Sequence, residues 1–98
     1  MRNLRIMMVC GFGLGTSLIL KMTVDEVLSR HQISAETFCA DSDTAPGENY
    51  DIVITSDEME RLFKENDKPV VVIENFLSAE EVEKKAIPVI INVIEENI

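Results

Sequence analysis

Apolar positions along the chain follow two different periods, which predict alternating strands and helices. Residues 4 to 9 are apolar at five of six positions and lead into a glycine-rich segment, as is typical of a strand buried on both faces of a parallel sheet. From about Ser17 to Arg30, apolar residues recur at three- and four-residue spacing, which predicts a helix with one buried stripe. The stripe consists of Leu20, Val24, Val27 and Leu28.

Three more strands are predicted downstream, over residues 33–40, 51–54 and 70–73. A polar, turn-forming segment, residues 41–49, separates the first two. Thr55 with Glu58, and Ser78 with Glu81, have the spacing of a capping box, so a short helix is expected after each serine or threonine.

Pro88 falls inside the last predicted helical region. A proline has no N–H to donate and its ring clashes with the preceding turn, so we expect a kink or break near residues 86 and 87.

Strands that alternate with helices predict a three-layer, Rossmann-like α/β domain with a four-stranded parallel sheet and helices on both faces. We expect strand order 2-1-3-4 and one domain over residues 1–98, with a phosphate-binding loop after strand 1. Ligands of such sheets bind beyond the carboxyl ends of the strands, where the order reverses. Residues at these ends are Cys10, Asp41, Thr55, Ser56 and Asn75.

Charge and length narrow the possible functions. The 98 residues carry a net charge of -9, and the acidic excess lies in residues 35–98, so nucleic acid is an unsuitable partner. No apolar run approaches the roughly 18 residues that span a membrane, which predicts a cytoplasmic protein. Two cysteines are too few for a disulfide framework, and one histidine without neighbouring ligands predicts no metal site.

The chemistry is expected in the loop that begins at Cys10. Glycines at alternate positions, Gly11, Gly13 and Gly15, let successive backbone N–H groups converge, and the following helix adds its own unpaired N–H groups. Such an anion cradle lowers the pKa of a thiol placed in it, because it favours the thiolate. Cys10 is therefore the candidate nucleophile.

Three other loops that bind anions differ from this one at particular positions. A nucleotide-binding loop of the Walker type has Gly-Lys before its Ser or Thr, and no lysine follows these glycines. A dinucleotide fingerprint requires glycine where Thr16 stands. A low-molecular-weight cysteine phosphatase has an arginine at that same position to clamp the phosphoryl group. The phosphatase and a non-enzymatic anion- or nucleotide-binding regulatory module remain the alternative functions.

The segment from Cys10 to Met22 resembles the phosphocysteine loop and first helix of IIB components of the bacterial sugar phosphotransferase system (PTS). The resemblance is strongest to the L-ascorbate class and its galactitol relatives, and it continues through Val24-Asp25 and residues 75–78. Phe12 departs from related loops, which often carry a small polar residue there. Membership implies that Cys10 accepts a phosphoryl group from a phosphohistidine of a IIA protein. It then passes the group to a sugar, ascorbate-like or an alditol such as galactitol, held by the membrane protein IIC.

The site is thus predicted to consist of catalytic Cys10 and a phosphate-binding loop, with Thr16 and Ser17 also capping the helix. The loop residues are Gly11, Phe12, Gly13, Leu14, Gly15, Thr16 and Ser17. Partner docking is assigned to a separate face of the helix, formed by Leu18, Lys21 and Met22. No cofactor is required, and contact with the membrane is expected only through IIC. Cys39 is interpreted as structural, and Glu80, Glu81 and Glu83 as an exposed helix face.

Overall fold

The computed structural model describes residues 4–9, 14–41, 43–63 and 68–96. Their four strands pair in parallel in the order β2-β1-β3-β4, as predicted. The strands are β1 Leu4–Val9, β2 Ala35–Cys39, β3 Ile52–Thr55 and β4 Val70–Val72. The sheet therefore reverses its order at β1, between β2 and β3, which is where a ligand site is expected.

Three α-helices and two 3-10 helices connect or follow these strands. The α-helices are α1 Leu14–Arg30, α2 Ala79–Lys85 and α3 Ile87–Glu96. The 3-10 helices are Ala45–Gly47 and Asp57–Phe63. Helix α1 begins three residues before the predicted start at Ser17. Thr16 and Ser17 therefore lie in its first turn and do not cap it, which corrects the sequence-based expectation.

The larger part of the core lies between the sheet and the α-helices. The predicted stripe of α1, Leu20, Val24, Val27 and Leu28, is buried against β1 residues of one face, which include Ile6 and Met8. Helices α2 and α3, together with Ala86 between them, complete this layer with Val82, Ala86, Ile87, Ile90 and Val93. Burial of this stripe fixes the orientation of α1, and so determines which of its residues face outward.

The opposite face of the sheet is covered by the 3-10 helices and not by α-helices. Met7, Val9 and Val53 pack there against Met59 and Phe63 of the 3-10 helix Asp57–Phe63. The domain thus has the predicted three layers, but its second face differs from the expectation of α-helices on both sides.

One predicted capping box is half formed and the other is absent. Ser78 caps α2, since its hydroxyl accepts a hydrogen bond from Glu81 N–H at 3.1 Å. Thr55 is the last residue of β3, and its hydroxyl donates to the Val9 carbonyl oxygen at 2.6 Å instead of capping a helix. The prediction of a cap at Thr55 was wrong because strand pairing extends one residue further than expected.

The helical region at the end of the chain breaks at Ala86, which separates α2 from α3. Pro88 lies in the first turn of α3, where a missing N–H leaves no helical hydrogen bond unmade. The break predicted from Pro88 is confirmed. No helix in the described part of the chain is both long and apolar enough to cross a membrane.

Candidate functional site

The carboxyl ends of β1 and β3 are joined by a buried side-chain hydrogen bond. Val9 is the register partner of Thr55, and the Thr55 hydroxyl donates to its carbonyl oxygen at 2.6 Å. Both residues are fully buried. The end of β1 is therefore held in place immediately before Cys10, the predicted nucleophile.

The predicted loop is only partly within the described residues. Cys10, Gly11, Phe12 and Gly13 lie outside them, so their roles stay predictions. The second half of the predicted loop, residues 14–17, forms the first turn of α1. The helix N-terminus thus begins four residues after Cys10 in the chain, and the first N–H groups of an α-helix have no partner within it.

The backbone conformation at position 15 does not require a glycine. A Cβ atom added at Gly15 would meet no described residue within 4 Å, and Gly15 has no positive φ. It lies in a helix, where glycine is less stable than alanine by about 1 kcal/mol. Neither a positive φ nor a contact with the described residues requires a glycine at this position.

An exposed apolar surface lies on α1 and on the loop between β4 and α2. Leu18 is 53% exposed, Met22 is 64% exposed and Leu77 is 78% exposed; Ile19 lies beside the first two. The Thr23 hydroxyl donates to the Phe76 carbonyl oxygen at 2.6 Å, which holds the loop segment before Leu77 against α1. The predicted exposure of Leu18 and Met22 is confirmed, so neither packs on a neighbouring helix.

Lys21 is held by an acidic neighbour on the same helix. Its ammonium lies 2.8 Å from Asp25 Oδ2, and Asp25 Oδ1 accepts a hydrogen bond from the Thr37 hydroxyl of β2 at 2.6 Å. The charge of Lys21 is therefore compensated within the domain. A role in docking or in attracting phosphate requires Lys21 to act together with Asp25 or to leave it.

Cys39 ends β2 and differs from Cys10 in its surroundings. It is partly buried and packs at the border of the main core, next to Met8 in the register of the sheet. Burial raises the pKa of the Cys39 thiol; the positive charge of Lys21 lowers it less, and Asp25 raises it further. The thiol form predominates at neutral pH, which agrees with a structural role.

The other strand ends carry polar groups that serve mainly to shape loops. Asp41 accepts hydrogen bonds from the N–H groups of Asp43 and Thr44 and from the Thr44 hydroxyl. The N–H and hydroxyl of Thr44, followed by the Asp43 N–H, lower the pKa of Asp41. Asn75 Oδ1 accepts from Leu77 N–H at 3.0 Å. Asp41 is thus a turn residue, and Asn75 orders the loop that carries Leu77.

Glu81 is not part of an exposed face, contrary to the sequence-based interpretation. Its side chain is only 15% exposed, and its carboxylate accepts from Glu74 N–H at 2.7 Å and Asn75 N–H at 2.8 Å. Lys85 Nζ lies 2.7 Å from the same group. Burial alone raises the pKa of Glu81, but these three donors together bring it below the usual value. Glu81 therefore ties the loop after β4 to α2.

Replacing this carboxylate by an amide is expected to loosen that loop. Glu81→Gln should lower the free energy of unfolding at pH 7 by about 1–3 kcal/mol, because an amide nitrogen cannot accept from a backbone N–H. A lowered folded pKa stabilises the protein above the unfolded pKa of about 4.3, and this stabilisation is lost as pH falls through the folded pKa. Urea unfolding at several pH values should show that the difference in free energy of unfolding between Glu81→Gln and wild type becomes smaller below a pH of about 4.

Glu80→Gln is the matched control, since Glu80 pairs with Lys84 at 2.8 Å on the exposed side of the same helix. An exposed pair of this kind contributes little to stability, because solvent screens the two charges. Equal losses in the two variants would contradict the role assigned to Glu81.

Within residues 4–9, 14–41, 43–63 and 68–96, no three His, Cys, Asp or Glu side chains cluster in a way that could hold a metal ion.

Sequence reasoning missed two features of this end of the sheet besides Glu81. Leu77 was not predicted to be exposed beside α1, although an apolar residue in a short polar loop is a signal for it. Ser56 is buried although it follows a strand end, and nothing in the sequence distinguishes it from an ordinary polar turn residue.

A four-stranded parallel sheet in the order β2-β1-β3-β4, flanked by helices, defines a small α/β domain in which a cysteine and a glycine-rich segment follow β1 in the chain. The family model described as "PTS system, Lactose/Cellobiose specific IIB subunit" matches residues 5–86. The chain therefore belongs to this family of PTS IIB subunits. IIB domains act as phosphotransferases in sugar phosphorylation and work with IIA and IIC partners. The L-ascorbate or galactitol subclass predicted from the loop is not supported by this match.

A solved structure gives the same fold. The lactose-specific IIB component domain of the phosphoenolpyruvate:carbohydrate phosphotransferase system from Streptococcus pneumoniae is similar, with a TM-score of 0.55 and 17% sequence identity. The alignment covers 96% of this chain and 97% of that chain. At this identity the likeness concerns the fold alone. The comparison with curated proteins gives no match.

Proposed function

We propose that this chain is a phosphocarrier that receives a phosphoryl group on Cys10 from the phosphohistidine of a IIA protein and donates it to a sugar bound by IIC. The observation that carries the proposal is the place of Cys10, directly after buried β1 at the reversal point of the sheet and four residues before α1 begins. Family membership supports it, since residue 10 falls within the matched segment 5–86.

Both transfers are in-line displacements at phosphorus. The Cys10 thiolate attacks the phosphohistidine, an S–P bond forms as the P–N bond breaks, and the imidazole nitrogen keeps the electron pair. In the second step a sugar hydroxyl oxygen attacks, the S–P bond breaks, and the thiolate leaves with the pair. The proton of the hydroxyl passes to a base of the IIC partner. The task of this chain is to position and stabilise the phosphoryl group, and no metal takes part in either step.

Backbone N–H groups of residues 11–17 are proposed to bind the phosphoryl oxygens. The start of α1 at Leu14 supports this proposal, because Gly15 and Thr16 then belong to the helix turn whose N–H groups favour an anion. The loop has no arginine, which suits a site that preserves a phosphocysteine rather than hydrolysing it.

Gly15→Ala separates a ligand-binding glycine from a merely structural one. The added methyl group meets none of the described residues, so the free energy of unfolding should stay the same or rise by up to about 1 kcal/mol. If the phosphoryl group approaches the backbone at this position, transfer should slow by roughly tenfold or more, because small displacements of reacting groups have large effects. The rate of phosphoryl transfer is measured in assays that are quenched at set times. The free energy of unfolding is measured by thermal unfolding. Wild-type transfer in Gly15→Ala would remove residue 15 from the binding site.

Partner docking is proposed for Leu18, Met22 and Lys21 of α1. The exposure of Leu18 and Met22 supports the proposal, and methionine adapts its shape to more than one partner, as a carrier that alternates between IIA and IIC requires. We further propose a cytoplasmic protein that reaches the membrane surface through IIC.

The sugar class is proposed on the loop sequence alone, which resembles that of ascorbate and galactitol IIB components. The matched family model is described as lactose/cellobiose specific, so the two assignments differ. Transfer from the phosphorylated chain to sugars in membranes that contain a single IIC, of the ascorbate, galactitol, lactose or cellobiose class, decides between them.

The proposal as a whole is tested by incubating the chain with a phosphorylated IIA protein and measuring its intact mass. One added phosphoryl group is expected, followed by its loss when IIC membranes and sugar are supplied. A chain that takes up no phosphoryl group, or that instead hydrolyses a generic aryl phosphate, would contradict the proposal and favour a cysteine phosphatase.

A further inference from the structure

The Ser56 hydroxyl is buried without a hydrogen-bond partner. Ser56 is 9% exposed, and its Oγ atom has no contact with solvent and no partner among the residues that the structure describes. The backbone of Ser56 is engaged, since its carbonyl oxygen accepts from the N–H groups of Met59 and Glu60 at 3.1 Å. A buried hydroxyl without a partner lowers stability, and such groups in native proteins usually have another use.

The position of Ser56 points to that use. Val9 and Thr55 are register partners, so the next residues along the two strands are Cys10 and Ser56. Neighbouring strands lie about 4.8 Å apart, and one peptide unit advances the chain by about 3.8 Å. Ser56 thus follows β3 in the chain as Cys10 follows β1, and its hydroxyl has no partner among the described residues.

The alternation of side chains along β3 gives the direction in which the chain reaches Ser56. Ile52 and Ile54 of β3 belong to the core cluster under α1, and Ser56 is the residue two positions after Ile54. Thr55 points to the other side and already donates to the Val9 carbonyl oxygen. Met8 of β1 faces α1 as well.

We propose that the Ser56 hydroxyl donates a hydrogen bond to an oxygen of the phosphoryl group while that group is bound to Cys10. The inference rests on the proposed function and adds a residue from a different strand to the site. No bond is made or broken at Ser56, which keeps its proton throughout. A phosphoryl oxygen is an anionic acceptor, and a hydrogen bond to such an acceptor is stronger than one between neutral groups.

Other polar residues at this edge of the sheet are less suitable as donors. Asp41 carries a carboxylate that repels a phosphoryl group and is occupied by its own turn. Asn75 is exposed, unlike Ser56, and its side-chain oxygen orders the loop after β4 by accepting from Leu77 N–H. Ser56 combines burial, a place beside the end of β1 and an unused donor.

The test is Ser56→Ala in the full chain, with Ser29→Ala on the exposed end of α1 as the matched control. Removing a hydrogen bond to a charged group should slow transfer from phosphorylated IIA by roughly ten- to a hundredfold. The ³¹P chemical shift of the phosphocysteine should move, and its half-life in buffer should change. The melting temperature should stay the same or rise, because the buried hydroxyl has no partner to lose.

Ser56→Thr retains the hydroxyl and should restore transfer toward the wild-type rate in a variant that folds. Transfer and ³¹P shift in Ser56→Ala equal to those of wild type would overturn the proposal, as would a Ser29→Ala variant that slows equally. Failure of the proposed function gives a different result, because the wild-type chain would then accept no phosphoryl group from IIA.

Discussion

Cys10→Ser is expected to abolish phosphorylation of this chain by a phosphorylated IIA protein, whereas Cys39→Ser is expected to leave it intact. A serine hydroxyl remains protonated at neutral pH, while the Cys10 thiol is proposed to lie among backbone N–H donors that favour the thiolate. The added mass should therefore be found on wild type and on Cys39→Ser only. Thermal unfolding of all three proteins shows whether the substitutions leave the fold intact.

Cys39 is a matched control because it is the same residue type at the end of the adjacent strand. Its partly buried thiol has a raised pKa and lies beside Asp25, whose negative charge repels a phosphoryl group. Phosphorylation that persists in Cys10→Ser, or that disappears in Cys39→Ser, would reverse the assignment of the two cysteines.

Met22→Asp is expected to slow phosphoryl transfer from IIA by about tenfold or more while the domain stays folded. Met22 is 64% exposed and has no core contact to lose, so its substitution affects the free domain little. A buried apolar residue at the centre of an interface contributes more than about 1 kcal/mol to binding when it is a hot spot, and a carboxylate there must also be desolvated. The apparent affinity for IIA should therefore fall, and the rate at saturating IIA should change less.

The stability of Met22→Asp distinguishes docking from burial. Lower helix propensity and the nearby charges of Asp25 and Glu26 should together cost no more than about 1 kcal/mol, whereas a buried methionine would cost about 2–5 kcal/mol. Asn92→Asp on α3 adds the same charge at another exposed helix position and serves as control. A sharply lowered melting temperature, or unchanged transfer, would reject the docking role.

Much of the fold follows from local patterns. β1 begins and ends at the predicted residues because five of its six side chains are apolar and glycines follow it. The buried stripe of α1 was predicted residue by residue, since a period of three and four positions specifies one face of a helix. The break between α2 and α3 was predicted from Pro88 alone, because proline has no N–H to donate and its ring clashes with the preceding turn of a helix.

Errors occurred where a tertiary contact outweighs a local preference. Gly15, Thr16 and Ser17 are weak helix formers, yet α1 includes all three. Glu81 appears exposed by periodicity, but two backbone N–H groups of the preceding loop fold onto its carboxylate. The unpaired hydroxyl of Ser56 arises from the packing of residues distant in sequence, so only the folded chain reveals it.

The last helix lies beyond the segment that the family model matches. The match ends at residue 86, yet Ile87, Ile90 and Val93 of α3 are buried in the main core. The same core contains Leu20 of α1 and Ile54 of β3. The residues beyond the family match therefore help to close the core on which α1, the helix proposed to bind the phosphoryl group, rests.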